Sequence, residues 1–171
     1  MNELVTVAIV VPCNNVEHIV DQCINSLIRQ KYPQDKFSII AVNDGSTDNT
    51  REHLEVFKKH PNFYLFDHKK NKGLSATRNT GIKNSHSEIV CFLDSDMVIQ
   101  PDWLQLIVAE FVAEEVIGVI GDITLPKGES PNMLDHYFYS AKRGARQFEE
   151  NSAIGWRWFL FNNTAVKRSA I

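Results

Sequence analysis

An open α/β sheet, mostly parallel and covered by helices on both faces, is predicted by three observations. Apolar, β-branched runs alternate with stretches of helical period, the runs are continuous as in strands buried on both sides, and each early run ends on a polar loop. With 171 residues and 43% hydrophobic content the chain can bury a substantial core, which excludes a disordered polypeptide.

Taken in order, residues 5–11 read as the first strand and 16–30 as a helix with Ile19, Val20, Cys23, Ile24, Leu27 and Ile28 on one face. A second strand over 37–42 precedes a helix over 48–59 that turns Leu54, Phe57 and Val56 inward. The unit repeats with a strand at 63–66, a helix at 75–84, a strand at 88–93 and a helix at 101–114 that starts on Pro101, a residue suited to a first turn. Residues 116–123 read as a further strand. The rhythm fails from 125 to 151, where "LPKGESPN" is loop and "MLDHYFYSAKRGARQFEE" has mixed, partly helical character. "WRWFLFNN" resumes as a strand, with Trp156 and Trp158 on opposite faces, and "AVKRSAI" as the first turns of a helix.

The formal net charge of -3 lacks the basic face that nucleic acid requires, so any phosphate recognition is local. Cys13, Cys23 and Cys91 are odd in number and show no C-x-x-C spacing, which suits a reducing compartment. The apolar run near the N-terminus is too short to span a bilayer and lacks a basic start, so it reads as a core strand of a cytoplasmic chain. That leaves room for peripheral membrane association through regions outside this sequence. The six histidines show no metal-ligand pairing and read as structural or surface groups, and Trp103 reads as core.

In open α/β sheets the loops at the carboxyl ends of the strands meet in a crevice where ligands bind. This chain delivers "PCNN", "NDGSTD", "HKKNKG" and "DSD" to that edge, after its first four strands in turn. Four polar ends on one edge, two of them acidic, make a site. If the chain stays extended through Asp94 and Asp96, their carboxylates share a side roughly 7 Å apart. At an effective dielectric of about 20 their repulsion is on the order of 2 kcal/mol. A divalent cation would relieve it, and oxygen ligands suit Mg²⁺ or Mn²⁺ with water and substrate phosphates completing the shell. The alternative is that both residues cap the next turn.

Asp44 follows the second strand directly, where it can accept hydrogen bonds from a base or a ribose, whereas turn and cap chemistry accounts for Ser46, Thr47 and Asp48. Arg78 lies in a helix of otherwise small residues near the same edge, where a guanidinium can pair with phosphate or a carboxylate. Lys69, Lys70 and Lys72 read as solvated loop charges. Gly73 and Gly81 either permit close backbone approach or punctuate the helix.

"VAIVVPCNN", "AVNDGSTDNT", "NKGLSATRNTGI" and "IVCFLDSDMVIQPDWL", in this order and spacing, resemble the nucleotide-sugar-binding half of a family 2 glycosyltransferase of GT-A fold. The resemblance covers about residues 5–123, with a weaker echo in "FLFNNTAVKRSAI". It implies one GT-A domain over 1–171, divided into a donor half at 4–123 and part of an acceptor side at 124–171. By resemblance, Asp44 binds the nucleobase, usually uracil, and Pro12 lies where the first strand opens toward it. Asp94-Ser95-Asp96 is similar to the family's D-x-D motif, in which Asp94 touches the ribose or a metal-bound water and Asp96 ligates Mn²⁺ or Mg²⁺ on the diphosphate. Arg78 matches an arginine near the nucleotide. The activity implied is metal-dependent, inverting transfer from a nucleotide-sugar, usually a UDP-sugar, to a saccharide or lipid-linked saccharide. Polysaccharide biosynthesis is the family's usual setting.

Two departures stand out. Asn14 occupies a position that is commonly tyrosine, and an amide cannot stack on a base as tyrosine does, which leaves the nucleobase open. The family's catalytic base belongs to an acidic E-D motif downstream of the segment resembling "NNTAVKRSAI", which places it beyond Ile171. Glu149 and Glu150 do not match that motif and read as a solvated loop face. Two other functions compete: a haloacid-dehalogenase-type phosphatase with Asp94 as nucleophile, and a sugar-nucleotide-binding module that transfers nothing. A dinucleotide-dependent dehydrogenase is disfavoured, because no G-x-G-x-x-G follows the first strand.

Overall fold

The computed structural model describes residues 4–124, 148–149, 152 and 162–171. Four of the apolar runs form strands β1 (Val7–Cys13), β2 (Phe37–Asp44), β3 (Phe63–His68) and β4 (Ile89–Leu93). With β5 (Gly118–Ile120) and β6 (Asn163–Lys167) they make a six-stranded sheet of order β3-β2-β1-β4-β6-β5. Strands β1 to β4 are parallel, and β6 runs antiparallel to both of its neighbours, β4 and β5. The helices are α1 (Val20–Ile28), α2 (Thr50–Glu55), α3 (Leu74–Lys83) and α4 (Trp103–Ala109). Tighter 3₁₀ turns extend α2 over Val56–Lys59 and α4 over Glu110–Val112, so both α-helices are shorter than their apolar period suggests.

The continuous apolar strands are explained by burial on both faces. On one face Val7, Ile9 and Val11 of β1, Ile39 and Ala41 of β2 and Cys91 and Leu93 of β4 pack with Cys23, Ile24 and Leu27 of α1, Leu54 of α2 and Leu104 of α4. On the other, Val10, Val90 and Phe92 meet Val166 and Ile82 of α3, while Ala8, Ile40 and Val42 meet Phe66. Helix α3 approaches the sheet closely because Gly81 has no side chain, and a methyl there would run into the Val10 side chain.

The helix expected over 165–171 is a strand instead, followed by a 3₁₀ turn at Arg168–Ala170. The reason is the outer edge of β4, whose backbone groups need a partner. Residues Asn163–Lys167 supply it in register with Ile89–Leu93 and also carry β5 on their far side. Arg168 then locks the end of β6, its backbone N–H donating to the Glu88 carbonyl at 2.8 Å and its side chain to the Ser87 carbonyl and the Ser85 hydroxyl. The strand expected at 156–163 lies outside the described residues except for its last two positions, as do Trp156, Trp158, Glu150 and the loop and mixed segment over 125–147. Strand β5 is shorter than 116–123, its ladder with β6 covering Gly118–Ile120 alone.

Pairing between β1 and β4 stops at Val10–Phe92, while β1 and β2 stay paired through Cys13–Asn43. The two central strands thus part at their carboxyl ends, which opens the crevice the topology requires. Pro12 lies past that parting, where its missing N–H takes nothing from the β4 ladder.

Helix propensity favours alanine over glycine by about 1 kcal/mol, yet Gly81→Ala is expected to destabilise the fold by about 1–3 kcal/mol through overpacking. Urea denaturation of Gly81→Ala, Val10→Ala and the double variant checks this. The double variant should lose less than the sum of the two singles, because Val10→Ala makes room for the new methyl.

Candidate functional site

Where β1 and β4 separate, a cleft of about 360 Å³ is lined by residues that include Pro12, Asn14, Asp44, Asn71, Thr77 and the whole Asp94-Ser95-Asp96 triplet. The strand ends deliver these groups together. Asn14 follows β1, Asp44 closes β2, Asn71 lies between β3 and α3, and the acidic triplet follows β4.

Asp44 is buried, 4% exposed, and its carboxylate is heavily engaged. Oδ1 accepts from His68 Nδ1 at 2.6 Å and from the Lys72 backbone N–H at 2.9 Å, and Oδ2 accepts from the Gly73 N–H at 2.9 Å. Burial alone would push this carboxyl up, but hydrogen bonds from His68, Lys72, Gly73 and the Thr77 side chain together hold it below the ordinary aspartate value. His68 also meets the Thr80 hydroxyl through Nε2 at 2.9 Å, which bridges the end of β3 to α3. Because an ionised carboxylate only accepts, Nδ1 carries the proton in the bond to Asp44. Asp44 is therefore first an anchor for the 69–73 loop, and what it presents to the cleft is a carboxylate already oriented by four donors. Lys72 contributes to this through its backbone, while its side chain is exposed.

The loop after β1 is tied to the same anchor. Asn14 Nδ2 donates to the Asp44 carbonyl at 2.9 Å, and Asn14 Oδ1 accepts from Asn71 Nδ2 at 3.2 Å. Of Ser46, Thr47 and Asp48 only Asp48 makes a local bond of the kind turn and cap chemistry predicts, and α2 begins after Asn49 without a side-chain cap, because Ser46 and Thr47 are drawn to Asn15 instead. Ser46 Oγ accepts from the Asn15 N–H at 3.1 Å, the Thr47 N–H donates to Asn15 Oδ1 at 2.8 Å, and Asp48 Oδ1 accepts from the Thr50 N–H at 3.0 Å. Gly45 is held in the left-handed region at φ +64°, its α-carbon tight against the backbone of Lys70 and Asn71.

Asp94 and Asp96 do not continue an extended strand. The chain turns at once, with the Met97 N–H donating to the Asp94 carbonyl at 3.2 Å, so the side-by-side spacing of an extended pair does not apply. Strand β4 ends at Leu93, and the Asp94 N–H still donates to the Asn162 carbonyl of the antiparallel neighbour at 3.1 Å before the chain turns away. Arg78 Nη2 lies 3.2 Å from Asp94 Oδ1, so the guanidinium orients the first carboxylate of the triplet. Ser95 is buried and Asp96 exposed. Burial raises the Asp94 carboxyl above its ordinary value; Arg78 opposes that shift and Asp96 adds to it.

The donor set fits a hard cation held by few protein groups. Among the described residues no cluster of three or more His, Cys, Asp or Glu exists that would enclose a metal. Two neighbouring carboxylates open to a cleft are what Mg²⁺ or Mn²⁺ takes when phosphate oxygens and water complete its shell. The Cys23 thiol beneath the turn, 3.8 Å from the Asp94 carbonyl, is pushed up to about 12 by burial and then by Asp96 and Asp94, so it stays protonated and offers no soft ligand.

Several contributors were invisible to sequence reasoning. His68 and Thr77 are ordinary loop and helix residues until folding brings them to Asp44. Asn163 is 6% exposed and ties four segments together. Its Oδ1 accepts from Trp103 Nε1 at 3.0 Å, its Nδ2 donates to the Asp122 carbonyl at 3.1 Å, its backbone carbonyl accepts from the Gly121 N–H at 2.8 Å, and its strand position pairs it with Leu93 beside the acidic turn.

Against known proteins, the model of the family described as "Glycosyl transferase family 2" matches residues 8–168. The chain belongs to this family. Glycosyltransferase GlyA of Streptococcus pneumoniae serotype 4 is 33% identical over 144 residues, covering 84% of this chain and 20% of the relative. Poly-beta-1,6-N-acetyl-D-glucosamine synthase of Staphylococcus epidermidis is 32% identical over 114 residues, 67% of this chain and 27% of the relative. The crystal structure of S. aureus TarS 1–349 with UDP-GlcNAc superposes with a TM-score of 0.65 at 26% identity, covering 74% of this chain and 37% of that one. The chain thus spans less than half the length of each. Membership of this family sets aside the phosphatase reading, in which Asp94 would lie near the start of the core.

The sign of the Asp44 shift yields a pH test. A carboxyl held below its unfolded-state value of 3.8 contributes stability that is fully present above that value and is lost as pH falls through the lower folded-state value. Between about pH 5 and about pH 2, the unfolding free energy of the wild type should therefore fall more steeply than that of Asp44→Asn, as measured by urea titration at each pH.

Proposed function

We propose that this chain is the donor-binding part of an inverting, divalent-metal-dependent glycosyltransferase that moves a sugar from a UDP-sugar to a hydroxyl of a saccharide or lipid-linked saccharide. The observation that carries the reading is the convergence of Asn14, Asp44 and the Asp94-Ser95-Asp96 turn on one cleft where the central strands part. The family membership supports glycosyl transfer, and the TarS likeness supports a UDP-sugar donor. Among the described residues no helix is long and apolar enough to cross a membrane. We place the reaction in the cytoplasm, where Cys13, Cys23 and Cys91, all buried and unpaired, suit a reducing environment.

In this reading the nucleoside lies against Pro12, Asn14 and Asn71, and Asp44 meets the base from a position its four donors hold constant. Arg78 keeps Asp94 turned toward the cleft, and Asp94 and Asp96 would hold Mn²⁺ or Mg²⁺. When bound, the cation offsets the negative charge that develops on the departing nucleoside diphosphate. Preorganisation by Arg78 and by the β6 pairing means that the turn need not rearrange as that charge appears. Inversion follows from a single displacement: the acceptor oxygen bonds to the anomeric carbon as the bond to the diphosphate breaks. The acceptor proton passes to a carboxylate acting as general base.

Isothermal titration with UDP, with and without Mn²⁺, tests the donor site. UDP is expected to bind more tightly with the metal. Asp96→Ala should weaken the metal-dependent component roughly 10–100-fold, and Asp44→Ala should weaken nucleotide binding with and without metal. UDP binding that ignores both Mn²⁺ and these substitutions would remove the proposal. GDP replacing UDP as the tighter ligand would correct the nucleobase alone.

A further inference from the structure

The opposite end of the sheet carries a second cleft, of about 400 Å³, within the roughly 300–1,000 Å³ range of small-molecule sites. Three short hydroxyl side chains, Thr6, Ser38 and Ser87, line it together with the amides of Gln34 and Asn62 and the ring of Tyr64. Ser38 and Tyr64 share the sheet face that α3 covers, since Tyr64 pairs with Ile40 two positions along β2 from Ser38. The helix does not reach Tyr64, whose side of the sheet stays open at 50% exposure.

Asn62 is the unusual member. It is 6% exposed, its backbone carbonyl accepts from the Ile39 N–H at 2.8 Å, and its side-chain Nδ2, itself buried, has no hydrogen-bond partner among the described residues. A buried amide donor without an acceptor carries a cost of about 1–3 kcal/mol, and this one belongs to a residue that lines an open cleft.

The lining selects among ligands. Its charged members are one carboxylate, Asp35, and one ammonium, Lys36, so the cleft has no net charge with which to collect phosphate or an acidic chain. Thr6 Oγ1 is engaged with Glu88, donating to its carboxylate and accepting from its backbone N–H, and the Ser38 and Ser87 hydroxyls with the Gln34 amide offer both donors and acceptors in short range, which matches a polyhydroxylated ligand. An exposed aromatic face beside them provides the apolar platform on which the C–H face of a sugar ring packs.

We propose that this cleft is a saccharide-binding subsite that takes a neutral sugar unit of a glycan, with Tyr64 as the stacking surface and the Ser38 and Ser87 hydroxyls and the Gln34 amide as its hydrogen-bonding groups. The proposal deepens the glycosyltransferase reading and rests on it for one point, that the glycan held here is the acceptor, gripped at a distance from the transfer cleft.

The test is a ¹H–¹⁵N NMR titration of the chain with three neutral trisaccharides, maltotriose, cellotriose and tri-N-acetylchitotriose, with inorganic phosphate in a parallel arm. Saturable shifts at the Gln34 side-chain amide, Tyr64, Ser38 and Ser87 are expected with at least one sugar. Tyr64→Ala should weaken that binding about tenfold or more, while Tyr64→Phe, which keeps the ring, should retain it. The substituted position is half exposed, so the folded spectrum serves as the internal check on both variants. No saturable shift with any sugar, shifts confined to the Asp94–Asp96 cleft, a stronger response to phosphate, or dilution-dependent shifts at Tyr64 without sugar would overturn the proposal, the last by assigning the face to a second copy of the chain. UDP titration separates the two readings: sugar binding without UDP binding keeps the subsite and removes its acceptor role, whereas UDP binding without sugar binding removes the subsite alone.

Discussion

A single buried carboxylate governs how the loops of the candidate site sit. Asp44 closes β2 and draws in His68 from the end of β3, two successive backbone N–H groups from the loop before α3 and the Thr77 hydroxyl within it. Its own backbone carbonyl holds Asn14 from the loop after β1. Three strand ends are thus referred to one residue, and a charge that would be costly to bury alone is matched donor for donor. The left-handed Gly45 that follows is the geometric condition for this, since a side chain there would push away the backbone of Lys70 and Asn71.

The two acidic residues after β4 occupy different environments although they are two positions apart. Asp94 is partly buried, guanidinium-paired and raised by burial; Asp96 is exposed. The first is held in place by the protein and the second faces the solvent-filled cleft, which is a division between an oriented group and an available one. Charge is not balanced within the turn itself, because Arg78 comes from α3 and reaches it only by virtue of that helix lying close to the sheet. The small residues of α3, Gly81 against Val10 above all, are therefore part of the electrostatics of the site as well as of its packing.

Strands β1, β2 and β4 were legible as unbroken apolar runs, since burial on both faces leaves a compositional trace that needs no partner to be recognised, and β3, half open at the edge, was legible as a shorter one. The polar strand ends were legible for the same reason, as was Trp103 as core. Strand β6 was not, because "NNTAVK" opens on polar residues and passes into "KRSAI", a pattern with as much helical as extended character, and only the unpaired edge of β4 decides between them. The turn at Asp94–Asp96 was legible only as the alternative to an extended pair, and the Met97 N–H bond to the Asp94 carbonyl decides for it. His68 and the two loop amides that bind the Asp44 carboxylate lie 24 to 29 positions away and Thr77 further still, so none could be assigned to it from local pattern.

Strand β6 also bears on the order in which the site comes into being. The acidic turn is completed by Asn162, and the wall behind it by Asn163, whose bond to Trp103 spans 60 positions of sequence. Contacts of such separation close late, because the intervening chain must first surrender its freedom. During synthesis β1 to β4 can therefore pair while the turn that would hold a cation is still bounded on one side by solvent. A nascent chain has the Asn14–Asp44 side of the cleft before it has a finished acidic turn, and the cleft is complete only when its sixth strand arrives.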